Sequence, residues 1–271
     1  MELLQFTLPT GAMLTAWLHS KEAGLINELC HNRPAIVVCP GGGYSHVSDR
    51  EKDPVAAEFY AMGAQVFTLK YSLGEMAGNK RPLEEVARSI LMVRQNAEQW
   101  SLDPNRILVI GFSAGGHLAA SAGVHWDDPE IMARCGVTDA KLLRPDGMIL
   151  CYPVITADPK ISHSGSIKLV SADTNEAPDY WSLETQVKET TPPAFIWHTM
   201  EDKVVPVANS FLFASALHRC GVTCEAHFFP HGGHGMSVCT TEVNTPHPIA
   251  RQWMPLCRNW LDTHFGPLCG A

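Results

Sequence analysis

The feature that most constrains this chain is a rhythm of short, continuous apolar runs separated by longer stretches with helical spacing. Ala35–Cys39, Gln65–Tyr71, Arg106–Phe112, Gly147–Tyr152, Ala194–His198 and Thr223–Phe229 read as strands. Between and after them, Asp53–Met62, Leu83–Trp100, Ala114–Val124, Ala208–Cys220 and Ile249–His264 read as helices, and Val86, Ile90, Val93 and Ala97 share one helical face. Strands that are apolar on both sides must be covered on both sides. The alternation therefore predicts an α/β architecture, a mostly parallel central sheet with helices on both faces. Two alternating segments near Leu3–Leu8 and Met13–His19 read as edge strands joined by a Pro-Thr-Gly turn. A length of 271 residues suits one domain over 1–271. Residues at about 155–190 break the rhythm and are polar, so they read as an insertion over the carboxyl edge of the sheet, where open α/β sheets bind ligands.

Composition removes several function classes. The net charge is −8 and no run of Lys or Arg forms a basic stripe, which excludes nucleic acid as a partner and disfavours anionic membranes. No apolar run approaches the roughly 18 residues needed to span a bilayer. The opening MELLQFTLPTG lacks the basic start and apolar stretch of a signal peptide, so the expected location is the cytoplasm. The nine cysteines, Cys30, Cys39, Cys135, Cys151, Cys220, Cys224, Cys239, Cys257 and Cys269, are odd in number and contain no CxxC pair. They read as scattered reduced thiols, neither a disulfide framework nor a metal site.

Gly111-Phe112-Ser113-Ala114-Gly115 fits G-x-S-x-G directly after a predicted strand and directly before a predicted helix. That context makes Ser113 a candidate nucleophile, presented on a strained turn at a helix N-terminus. A serine needs a base to take its proton and an acid to orient that base. Asp202 lies just past the Ala194–His198 strand and His234 just past the Thr223–Phe229 strand, which puts both on loops at the same sheet edge as Ser113. Glu201 is the rival acid and His231 the rival base. The glycines on either side of His234 favour it over His231, which follows a proline. Attack on an ester puts negative charge on the carbonyl oxygen, so amide donors must converge there. Pro40-Gly41-Gly42-Gly43-Tyr44 follows the first long strand, and its glycines leave the amides unobstructed. Gly42, Gly43 and Ala114 are the expected oxyanion donors. Neither G-x-x-x-x-G-K-[ST] nor G-x-G-x-x-G occurs, so nucleotide and dinucleotide functions fall away.

These motifs, together with Gly116-His117-Leu118-Ala119, Thr191-Pro192-Pro193-Ala194-Phe195 and the Asp202–Pro206 stretch, resemble the α/β-hydrolase superfamily. Within it the chain is similar to esterases related to hormone-sensitive lipase, and above all to bacterial acetyl-xylan and feruloyl-type carbohydrate esterases. The resemblance spans about residues 33–265. It implies the α/β-hydrolase fold and a serine esterase that removes small acyl groups, acetyl foremost, from sugars through an acyl-enzyme. It implies no cofactor and no metal. The related lipases begin the oxyanion loop with His where Pro40 stands here, which shifts weight from lipids to sugar esters. Tyr44 and His117 either shape the acyl pocket or support the loops, and Tyr180 and Trp181 either stack on a sugar or pack in the core. Arg50 and Glu51 read as an ion pair behind the oxyanion loop or as a solvated pair. The competing readings are a prolyl-oligopeptidase-type peptidase, for which no gating domain is available, and a binding module that kept the fold without the chemistry.

Overall fold

A computed structural model describes residues 1–20 and 32–269, so Cys30 lies outside the described residues. Eight strands form one sheet: β1 Glu2–Thr7, β2 Met13–Leu18, β3 Arg33–Cys39, β4 Gln65–Lys70, β5 Leu102–Phe112, β6 Gly147–Cys151, β7 Ala194–Thr199 and β8 Cys224–Phe229. Their spatial order is β1-β2-β4-β3-β5-β6-β7-β8. Strands β1 and β2 pair antiparallel, and β2 also runs antiparallel to β4. From β4 onward every pairing is parallel. The hairpin between β1 and β2 turns on Gly11 at φ +93°, a conformation that suits glycine.

The helices are α1 Asp53–Ala61, α2 Arg81–Gln95, α3 Ala114–Val124, α4 Pro129–Cys135, α5 Ser164–Val170, α6 Ala208–Arg219 and α7 Trp253–Phe265. Side-chain alternation along the central strands divides the core between the two faces. Val37, Val109, Leu150 and Ile196 meet α2, α3 and α6 on one side. Ile36, Ile110, Ile149 and Phe195 meet α1 and α7 on the other. This is the mostly parallel sheet with helices on both faces that the apolar runs predict, and it agrees with the α/β-hydrolase fold that the resemblance implies. No helix among the described residues is long and apolar enough to cross a membrane.

Some boundaries differ from expectation. Helix α2 stops at Gln95 rather than Trp100, because the Asn96 side chain bonds the Met92 carbonyl and the chain then turns through Ser101 at φ +51°. The expected Ile249–His264 helix opens as a 3-10 turn, Ala250–Gln252, before α7. Helices α4 and α5 were not foreseen, and α5 lies within the 155–190 stretch. The eight described cysteines are free thiols. Burial pushes the Cys224 and Cys239 thiols up to about 12, and Cys39 and Cys151 higher still.

Candidate active site

Strand β5 delivers Ser113 to the carboxyl edge of the sheet, and α3 begins at the next residue. Ser113 sits at φ +56°, ψ −117°, a region that costs a non-glycine residue roughly 1–3 kcal/mol. Three backbone hydrogen bonds hold it there: its N–H donates to the Cys151 carbonyl (3.0 Å), and its carbonyl accepts from Val154 (3.0 Å) and His117 (3.1 Å). The flanking glycines permit the close approach. A Cβ on Gly111 would stand 2.0 Å from the Gly115 carbonyl oxygen, and one on Gly115 would stand 2.0 Å from that of Cys39.

The loop after β8 brings His234 Nε2 to 2.8 Å from Ser113 Oγ, and the loop after β7 brings Asp202 Oδ2 to 2.6 Å from His234 Nδ1. Because Asp202 can only accept, His234 Nδ1 carries the proton, and Nε2 is left to accept from the Ser113 hydroxyl. Burial raises the cost of ionising Asp202. Hydrogen bonds from His198 and His234, the charge of His234 and the Val205 amide outweigh that cost, and the carboxyl is held well below the usual range. Oδ1 accepts from the amides of Val204 (2.9 Å) and Val205 (3.0 Å). The rivals pair with each other instead: His231 Nδ1 lies 3.1 Å from Glu201 Oε1, and both side chains are exposed.

Two residues in this network were not read from the sequence as parts of it. His198, fully buried on β7, points Nε2 at Asp202 Oδ2 (3.2 Å) and at the Val205 carbonyl (3.0 Å). Both are acceptors, so that nitrogen donates, and Nδ1 accepts from Ser210 Oγ at 2.8 Å. A histidine ending an otherwise apolar strand four residues before Asp202 was the available signal. The second residue is Glu51. Rather than pairing with Arg50, it turns inward, 2% exposed, and accepts from the Gly41 amide (3.0 Å) and the Tyr152 hydroxyl (2.7 Å). Tyr152 Oη in turn accepts from the Ser237 amide at 2.8 Å, so Glu51 ties the glycine loop to the loop that carries His234. The ion pair with Arg50 is thus replaced by neutral donors.

Gly42 and Gly43 adopt φ +121° and +65°, and a Cβ on Gly42 would stand 2.0 Å from the His46 carbonyl oxygen. Among the described residues the amides of Gly42, Gly43 and Ala114 have no acceptor. A cleft of about 260 Å³ opens over Ser113 and His234, lined in part by Gly42, Gly43, His163 and Val204. A cavity of about 470 Å³ near Arg94, Trp126 and Asp146 is larger, but it lies at the amino-terminal edge of the strands and contains none of these groups.

The four expected substrate contacts, Tyr44, His117, Tyr180 and Trp181, do not line the cleft. Tyr44 and His117 are fully buried and bond each other, Oη to Nδ1, at 3.0 Å. The Trp181 carbonyl accepts from His117 Nε2, and its indole is buried against His117. Tyr180 stacks on His125 and donates to Asp128 at 2.7 Å. Tyr44, His117 and Trp181 are buried away from the cleft, and Tyr180 is half-buried with its hydroxyl engaged by Asp128. Among the described residues no three His, Cys, Asp or Glu side chains converge as a metal-holding group.

Comparison with known proteins agrees with this architecture. The chain is 39% identical over 239 residues to an endo-1,4-beta-xylanase B of Butyrivibrio fibrisolvens, covering 84% of this chain and 35% of that protein. It is 31% identical to an acetylxylan esterase of Xylanibacter ruminicola, covering 76% and 42%. The chain thus spans roughly two fifths or less of the length of these curated relatives. Among solved structures, an acetyl ester-xyloside bifunctional hydrolase from Caldicellulosiruptor lactoaceticus superposes with TM-score 0.80 at 34% identity, covering 96% of this chain and 90% of that one. A carboxylesterase from Lactobacillus plantarum superposes with TM-score 0.87 at 27% identity over the full length of both. The family described as BD-FAE matches residues 27–217, and the chain belongs to that family of α/β hydrolases.

Proposed function

We propose that this protein is a serine carboxylic-ester hydrolase that removes small acyl groups, acetyl foremost, from sugars, with 1–271 as one catalytic domain. The observation that carries the reading is the chain of hydrogen bonds from Ser113 through His234 to Asp202, opening onto a cleft. In this reading Ser113 Oγ attacks the acyl carbon while His234 Nε2 takes its proton, and Asp202 stabilises the imidazolium that forms. The amides of Gly42, Gly43 and Ala114 receive the developing oxyanion, each lowering the barrier by about 3 kcal/mol. The alcohol leaves with the proton from His234, and water repeats the cycle in reverse to release the acid. The named activities of the acetylxylan esterase and the acetyl ester-xyloside hydrolase support a sugar ester as substrate. A cleft of about 260 Å³ suits a short acyl chain. The free thiols suit the reducing cytoplasm.

The test is turnover of p-nitrophenyl acetate, butyrate and octanoate and of acetylated xylo-oligosaccharides by the wild type and Ser113→Ala. The expected result is a kcat/KM that falls from acetyl to octanoyl, and a loss on the order of 10⁶ in kcat for the variant. Retained turnover in the variant, or a preference for octanoate, refutes the reading.

A further inference from the structure

We propose that the cleft selects esters whose alcohol carries a carboxylate, with Arg50 as the counter-charge. This deepens the esterase reading and rests on it. Arg50 lines the same cleft as Ser113 and His234. Its Nη2 lies 3.3 Å from the Cβ position of Gly235, the residue after His234. Five other arginines, Arg88, Arg94, Arg134, Arg251 and Arg258, are held by carboxylates. The exposed Arg50 guanidinium has neither a carboxylate nor a carbonyl partner among the described residues. It is the one lysine or arginine in the lining, and Glu51 is the one carboxylate. Both oxygens of Glu51 accept from Gly41 and Tyr152, and neither is paired with Arg50.

Position decides which half of the substrate meets this charge. The carbonyl oxygen points towards the glycine-loop amides, whereas the leaving oxygen must reach His234 Nε2 to collect its proton. Arg50 stands against the residue following His234 and is therefore on the alcohol side. The net charge of −8 makes the surface at large unattractive to anions, so a local cation here favours one anionic group at one place. A guanidinium offers paired N–H donors that match a carboxylate, and the surrounding Ser45, Ser48 and His46 add polar groups for the hydroxyls of an acidic sugar.

The test compares 4-acetoxybenzoate with its methyl ester, one anionic and one neutral at the far end of the leaving alcohol, in the wild type, Arg50→Gln and Arg50→Lys. The readout is the ratio of kcat/KM for the anionic ester to that for the neutral ester, which cancels any general damage to the site. The ratio is expected to fall about tenfold in Arg50→Gln, mainly through KM, the scale of one charge-assisted hydrogen bond, and to recover in part in Arg50→Lys. Molar salt should lower the ratio in the wild type and leave it flat in Arg50→Gln. An equal ratio in wild type and Arg50→Gln, or an equal salt response, overturns the inference while the esterase reading stands. Failure of the wild type to hydrolyse either ester overturns both.

Discussion

Acidification gives the perturbation whose consequence is easiest to calculate. His117 lies fully buried on α3, accepting from the Tyr44 hydroxyl at Nδ1 and donating to the Trp181 carbonyl from Nε2. Burial lowers its pKa from 6.5 to about 4; the bond to Trp181 opposes the shift and nearby His125 adds to it. An unfolded chain takes up this proton near pH 6.5, whereas the folded one waits until about pH 4. Between those values the unfolded state binds more protons. The stability contributed by neutral His117 is thus complete above pH 6.5 and is lost as pH falls towards 4. At about 1.4 kcal/mol per pH unit, the loss is about 2 kcal/mol at pH 5 and about 3 kcal/mol when complete. Protonation also turns Nδ1 into a donor, which the Tyr44 hydroxyl can no longer serve as donor, directly behind Gly42 and Gly43. Urea unfolding followed by tryptophan fluorescence at neutral pH and near pH 5 measures this, in the wild type and in His117→Gln. The variant should be the less stable at neutral pH, and the gap should narrow by about 2 kcal/mol near pH 5. His19, also lowered to about 4 by burial, titrates alike in both proteins and cancels. A gap that stays constant with pH refutes the reasoning.

Asp202→Asn should lower kcat by about 10⁴, because an amide no longer fixes the tautomer of His234; steady-state kinetics on p-nitrophenyl acetate checks it, and a loss that appears in Glu201→Gln instead moves the acid. His198→Phe removes one donor to a buried carboxylate and should cost about 2 kcal/mol of stability together with part of kcat, and an unchanged unfolding midpoint would exclude that role. In Glu51→Gln the new NH₂ cannot accept from both Gly41 and Tyr152, so kcat should fall roughly 10- to 100-fold, on the scale of a weakened oxyanion donor, with acyl-chain preference unchanged. Wild-type kcat in that variant would mean that the glycine loop holds its shape without Glu51.

What could be read from the sequence was local, and what could not depended on partners far along the chain. The central parallel strands were legible as apolar runs and β8 as an alternation of Cys224, Ala226 and Phe228 with polar residues, and Ser113 because its glycines are demanded by contacts within a few residues of it or with the neighbouring strand. Asp202 and His234 followed from chain order once the strands were placed. Helix α4 had its own signal in Asp128-Pro129 and Gly136: the Asp128 carboxylate caps the amides of Glu130 and Ile131, and Gly136 closes the helix at φ +71°. Seven residues were too few for a periodic pattern to call attention to it. The aromatic residues of the 155–190 stretch were the harder case. A polar neighbourhood suggests exposure, but Trp181 packs on His117 of α3 and Tyr180 on His125 at the C-terminal end of that helix. Glu51 meets Tyr152, 101 residues later, and no spacing rule connects them. That contact nonetheless joins fold to chemistry. Strand β6 ends at Cys151, whose carbonyl fixes the strained Ser113, and the next residue, Tyr152, reaches Glu51 on one side and the Ser237 amide on the other. One strand end therefore sets Ser113, the glycine loop and the histidine loop together, so a strained serine can persist without any of the three being rigid alone.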